Sequence, residues 1–215
     1  MAYKNGESMR LFDLNSIGFK PNKILDIGAH TGQFYKWAKS VWVDVPIFMI
    51  EANECHEPIL KNLTSFTDDG YLIATLGNSV RDVLFYTRKD KPHTEGASYY
   101  KELAYWDIPN LVAAIPKKLQ ILDEIFDNTT QFDLIKLDTQ GSELDILIGG
   151  KHICSKAQYI ILEVSLVDLN ENAPSYNDVI LFMKNFGFEE FITIGEHYRE
   201  SEIVQKDLVF KKNSL

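Results

Sequence analysis

The sequence is short of cysteine, of basic charge and of long apolar runs, and each shortage excludes something. Only Cys55 and Cys154 stand among 215 residues, with no CxxC pair and no Cys/His ligand spacing. Neither a disulfide-stapled secreted module nor a structural zinc site is read from them, and a reduced, cytoplasmic protein is expected. Lys and Arg number 22 against 31 Asp and Glu, a net charge of -9, which disfavours a partner held through its phosphate backbone. The pairs Lys117-Lys118 and Lys211-Lys212 read as solvated faces, so no nucleic acid is expected. No apolar run approaches a bilayer span, and the first ten residues lack the apolar segment of a signal peptide. His56, His93, His152 and His197 have no metal-ligand spacing and read as solvent-exposed, so no metal ligand is assigned.

What is present is enough for one well-buried domain over 1–215, since 45% of the residues are hydrophobic. Ile24 to Ile27 reads as a buried strand that runs into the turn Gly28-Ala29-His30-Thr31-Gly32 and then a helix from Gln33 to Ser40, a ligand pocket in outline. A dinucleotide fold wants G-x-G-x-x-G, whereas the spacing here is D-x-G-x-x-x-G with no third glycine. An acid in first place suits a ligand that presents an ammonium group and disfavours a pyrophosphate, which argues against a dehydrogenase. Glu51 ends the next apolar run where a ribose-binding carboxylate is expected. The alternative is a plain left-handed turn with a solvated acid at each strand end.

Residues 1–21 form an N-terminal extension in which Leu11, Phe12, Leu14 and Ile17 have helical spacing. The stripe Phe34, Trp37, Ala38 and Val41 reads as core. Glu57 to Leu63 reads as a helix, Tyr71 to Leu76 and Asp82 to Thr87 as strands, an alternation that points to a parallel sheet. Residues 88–116 break the rhythm with four prolines or glycines, yet carry Tyr99, Tyr100, Tyr105 and Trp106. Such an insertion is a lid or acceptor loop with Tyr99, Tyr100 and Trp106 facing a ring, or else its aromatics only pack on the domain. Order resumes at Leu119. Phe132 to Asp138 is a strand ending in an acid, followed by Thr139-Gln140-Gly141 and a helix that Gly149-Gly150 stops. Tyr159 to Val164 repeats the design with Glu163. Asp26, Glu51, Asp138 and Glu163 thus converge on one crevice. A helix at Tyr176 to Asn185 precedes two closing strands, Glu190 to Ile194 and Asp207 to Lys211, joined tightly enough to be antiparallel.

The acid-glycine opening, the strand-end Glu51 and the closing hairpin resemble a class I methyltransferase, an α/β Rossmann-like fold with a mostly parallel sheet and helices on both faces. The stretch Leu134-Ile-Lys-Leu-Asp-Thr-Gln-Gly-Ser-Glu-Leu-Asp-Ile-Leu-Ile-Gly-Gly150 resembles the signature of the FkbM family. The resemblance implies S-adenosylmethionine as cofactor, held at Asp26, Gly28, Ala29, His30, Gly32 and Glu51, and O-methylation of a sugar, glycan precursor or other small molecule. Asp138 is the first candidate for base or acceptor-orienting residue, followed by Glu163 and His30; a helix-capping role for Asp138 stands beside it. The family commonly has Asn at the place of His30 and Val-Glu at Thr139-Gln140. N-methylation of a small amine and a non-catalytic nucleoside-binding or scaffold protein remain as alternatives. The acceptor atom is not legible, and neither is the oligomeric state, for which a homo-oligomer stays open.

Overall fold

The computed structural model describes residues 11, 14–104, 108 and 110–213. Its strands in chain order are β1 (Ile24–Ile27), β2 (Ile47–Glu51), β3 (Gly70–Ile73), β4 (Thr75–Leu76), β5 (Asp82–Arg88), β6 (Val112–Gln120), β7 (Leu134–Leu137), β8 (Tyr159–Ser165), β9 (Phe188–Arg199) and β10 (Glu202–Lys212). The helices are α1 (Gln33–Val41), α2 (Glu57–Thr64), α3 (Leu122–Ile125), α4 (Glu143–Gly149), α5 (Lys151–Cys154) and α6 (Tyr176–Asn185). A seven-stranded sheet runs β3-β2-β1-β7-β8-β10-β9. Its first five strands pair in parallel and β10 runs against both neighbours. This is the expected mixed sheet, and its continuous apolar strands suit burial on both faces.

Two apolar clusters fill those faces. Leu25, Ile27, Ile135, Leu137, Ile160 and Leu162 pack with α4, α5 and α6 on one side. Ile24, Met49, Leu134 and Ile161 pack with α1 and α2 on the other. The expected stripe of α1 is core, with Phe34 and Ala38 buried and Trp37 and Val41 packed against them. In α6 the side chain of Ser175 accepts from the amide of Asp178, whose carboxylate accepts from Ser175 in return, closing a capping box. Residues 11 and 14–16 are helical; Phe12 and residues 1–10 of the expected N-terminal extension lie outside the described residues.

Three local readings change. The expected strand Tyr71 to Leu76 is split at Ala74, with β3 in the main sheet and β4 in a second sheet of order β4-β6-β5. Order resumes at Val112 rather than Leu119, because β6 pairs antiparallel with β5 along its length. Pro116 fits inside this strand since β4 reaches only Leu119 and Gln120, leaving an open edge that needs no amide donor. The closing strands are longer than expected, separated only by the Glu200-Ser201 turn, and β10 lies between β8 and β9.

Candidate active site

Gly28 and Gly32 set the first loop, for different reasons. Gly28 has φ 78°, and a Cβ there would stand 1.8 Å from the Asp138 carbonyl oxygen. The missing side chain therefore admits the end of β7, a protein backbone rather than a ligand. Gly32 has φ 72°, and its Cβ would meet Leu63 Cδ1 at 2.3 Å, so this glycine brings α1 close to α2. The amides of Gly28 and Ala29 both donate to the Ile50 carbonyl, at 2.9 and 3.1 Å. No side chain caps α1 at Gly32, which leaves its first turn as the amide end facing the pocket.

Glu51 closes β2 with its carboxylate held from two sides. His30 N donates to Oε2 at 2.6 Å and Asn53 N to Oε1 at 2.7 Å. Burial raises its pKa against the pull of these amides. Each oxygen keeps one lone pair for a further donor.

Side chains alternate along a strand, so Asp26, Lys136, Glu163 and Asp207 fall on the sheet face covered by α1 and α2. Register does the rest: Asp26 pairs with Lys136 between β1 and β7, and Glu163 with Asp207 between β8 and β10. Lys136 is a functional residue that the motifs do not mark, and its one sequence signal is a lysine flanked by apolar residues in a buried strand. Its Nζ donates to Asp138 Oδ2 at 3.1 Å and to the Gly28 carbonyl at 3.3 Å, and lies 3.8 Å from Asp26 Oδ1. Burial opposes its charge, but Asp138 and Asp26 outweigh that and push its pKa up.

Asp138 and Glu163 are driven apart. Burial disfavours an ionised Asp138, yet Lys136 and the Gln140 amide, 3.1 Å from Oδ1, hold its pKa below the usual carboxylate range. Glu163 is raised well above its usual value, by burial first and then by Asp138, Asp207 and Glu143. Gln140 Nε2 donates to Glu163 Oε2, and Gln205 Nε2 reaches the same oxygen at 2.9 Å. His197 Nε2 lies 3.1 Å from Asp207 Oδ2 and 3.6 Å from Glu163 Oε1. The amides of the Gly141 turn expected to satisfy Asp138 go instead to Glu143, whose carboxylate accepts from Thr139 N at 2.7 Å and Gly141 N at 3.0 Å, and no side chain caps α4 at Ser142.

A cavity of about 410 Å³ opens above these strand ends. Gly28, Ala29, His30, Glu51, Asp138, Glu163 and Tyr99 line it; Asp26, Gly32 and Tyr100 do not. Asp26 is fully buried beneath the loop, so the crevice collects three of the four expected acids. Tyr99 and Tyr100 both give their hydroxyls to Asp145 Oδ2, at 2.9 and 3.1 Å, tying the insertion to α4. Trp106 lies outside the described residues. Of the histidines read as exposed, His93 and His152 are, but His56 is fully buried and the side chain of His197 is 11% exposed. Burial, with His30 and His93 beside it, lowers the pKa of His56 to about 4.

The buried acids tie stability to pH. Burial raises Asp26 from 3.8 to about 6, with Lys136 opposing. A raised carboxylate stabilises the fold fully below its unfolded pKa, and that contribution is lost as pH rises through the folded one. A shift of this size corresponds to roughly 3 kcal/mol. His56, with its lowered pKa, acts in the opposite sense over much of the same window, so the variant difference isolates Asp26. Urea unfolding should show Asp26→Asn gaining roughly 3 kcal/mol on wild type between about pH 4 and pH 8; a difference independent of pH would mean that the fold does not raise the pKa of Asp26.

The chain's relatives agree with this geometry. The model of the methyltransferase FkbM domain matches residues 26–190. Among solved structures, an S-adenosylmethionine-dependent methyltransferase from Clostridium acetobutylicum superposes with a TM-score of 0.60 at 8% identity, over 100% of this chain and 93% of the other. The 1,6-didemethyltoxoflavin-N1-methyltransferase of Burkholderia thailandensis gives 0.56 at 9% identity, over 98% and 80%. Magnesium protoporphyrin IX methyltransferase from Synechocystis, with bound S-adenosylmethionine, gives 0.53 at 11%, over 95% and 77%. No curated protein matches the sequence. With the family domain spanning most of the chain and the strand order of that fold in place, this protein belongs to the FkbM family of S-adenosylmethionine-dependent methyltransferases.

Proposed function

We propose that the enzyme methylates a hydroxyl group on a sugar, a glycan precursor or another small molecule, within one domain whose 88–116 insertion forms the acceptor side of the cavity. The observation that carries this reading is the pair Asp138 and Glu163, two carboxylates lining the cavity and bridged by the Gln140 amide, the first held below and the second raised above the usual carboxylate range. Two neighbouring acids with opposed pKa values make an acceptor and a donor of protons.

The cofactor supplies an electrophilic methyl on sulfur, and the protein's task is to align a nucleophile behind it and keep water out. In this reading Glu51 takes the ribose hydroxyls with its remaining lone pairs, and the loop from Gly28 to Gly32, with His30 on it, borders the cofactor beside the first turn of α1. Asp138 accepts the hydrogen bond of the acceptor hydroxyl and receives its proton as the new C–O bond forms, while Glu163 orients a second oxygen of the acceptor. Residues 94–99 and Glu102 line the same cavity. Tyr99 can lay its ring against the acceptor, with its hydroxyl fixed by Asp145. Among the described residues no helix is long and apolar enough to cross a membrane. The two free thiols suit a reducing, cytoplasmic setting.

Incubation with S-adenosylmethionine carrying a ¹³C methyl, against panels of free sugars, nucleotide sugars and simple amines, tests the reading. Methoxy carbon signals from the hydroxyl panels are expected. Transfer to amines alone would replace it with N-methylation, and tight cofactor binding with no transfer to either panel would favour a binding protein.

A further inference from the structure

A cluster of nitrogen and sulfur ligands lies beside the cofactor wall, outside the machinery above. Cys55 and His56 sit on the 3-10 turn Glu54–His56 that follows β2, and His93 arrives from the loop after β5. Cys55 Sγ lies 3.5 Å from His93 Nδ1, which lies 3.4 Å from His56 Nδ1. All three ligand atoms fall within 4.8 Å of one another. A tetrahedral zinc ion with Zn–N of about 2.05 Å and Zn–S of about 2.3 Å has an N···N edge of about 3.3 Å and an S···N edge of about 3.5 Å. The two measured spacings match those edges.

Hydrogen bonding explains the cluster less well. Two imidazole Nδ1 atoms facing each other at 3.4 Å are beyond the usual N–H bond length. The thiol is nearer to the Pro92 carbonyl, at 3.1 Å. His56 is fully buried and its Nδ1 faces the His93 Nδ1 at 3.4 Å, so plain hydrogen bonding gives this imidazole little reason to be inside. Cys55 Sγ and Asn53 Nδ2 already draw the Pro92 carbonyl toward the turn, which holds His93 in position.

We propose that Cys55, His56 and His93 form a binding site for a borderline divalent metal ion, of which Zn²⁺ is the natural example, that fastens the loop after β5 to the rim of the cofactor pocket. Binding releases the thiol proton and leaves a thiolate–metal bond, with the two neutral imidazoles as further ligands and solvent in the fourth position. The clamp acts on the cavity because residues 94–99, directly after His93, line it, as does Glu51, a few residues before Cys55. The site explains how one short turn could order the acceptor wall.

Co²⁺ added to the metal-free protein reads the site directly. A thiolate-to-cobalt charge-transfer band that saturates at one equivalent and is bleached by Zn²⁺ is expected. The band is specific, because the other cysteine, Cys154, is fully buried in the core. Cys55→Ser should abolish it, and His93→Ala should weaken binding at least tenfold, both variants keeping their far-ultraviolet dichroism. Zn²⁺ should slow amide exchange across residues 89–104 in wild type and not in His93→Ala. No band, or one that survives Cys55→Ser, overturns the proposal. So does cobalt bound without a sulfur band and lost in Asp207→Asn, which would place the ion at the sulfur-free trio Glu163, His197 and Asp207. Binding with no effect on exchange would overturn the clamp.

Discussion

Asp138→Asn will lower kcat by on the order of 10²-fold to 10⁴-fold while leaving S-adenosylmethionine affinity within a few-fold of wild type. The asparagine keeps the shape of the side chain and a donor–acceptor amide, but it cannot take a proton. The ionised state of Asp138 is built by its surroundings: Lys136 Nζ at 3.1 Å and the Gln140 amide offset the cost of its burial. An acceptor hydroxyl then loses the base that this reading assigns to it. Calorimetry of the cofactor alone separates this from damage to the pocket, with Glu51→Ala as the contrast, since that change should remove cofactor binding of micromolar strength, about -8 kcal/mol. Full turnover in Asp138→Asn would show that positioning alone drives transfer. Lost cofactor affinity would move Asp138 into the binding set.

Lys136→Met should cost about 3–5 kcal/mol in urea unfolding at neutral pH, the usual consequence of leaving a buried charge without its partner. Methionine fills most of the volume, so the loss is electrostatic rather than a cavity effect. The residue faces Asp138, Asp26 and the Gly28 carbonyl together, and Glu163 and Asp207 stand on the same sheet face. Without the ammonium, Asp138 would hold its proton to higher pH, and the acid limb of the kcat profile should move upward. A loss below about 1 kcal/mol with an unmoved acid limb would mean that water or a bound ion already screens these carboxylates.

The periodicity of the strands, the glycine turns and the order of the two motifs were legible in the chain because they are local. Ile24 to Ile27 and Leu134 to Leu137 are apolar at every position but one, which only strands covered on both faces tolerate. Ser175 and Asp178 mark the start of α6 by themselves. The hairpin of β5 and β6 was hidden because Pro116 and exposed β6 residues mask a strand whose stability comes from its partner. Trp106 and most of the N-terminal extension lie outside the described residues, so their expected roles stay proposals.

The sequence by itself determined the fold class and placed Glu51 and Asp138 at the ends of β2 and β7, where the apolar runs stop, whereas Asp26 and Glu163 lie inside β1 and β8, ahead of Ile27 and of Val164 and Ser165. Only the tertiary structure decided what those acids are. Register set Lys136 between Asp26 and Asp138 and put Asp26 below the cavity, and the Gly141 turn gave its amides to Glu143 rather than to Asp138. It also joined Cys55 and His56 to His93 across 37 residues of chain. Charge states and ligand sets depend on distances of a few ångströms between segments far apart in sequence, and no local pattern encodes those distances.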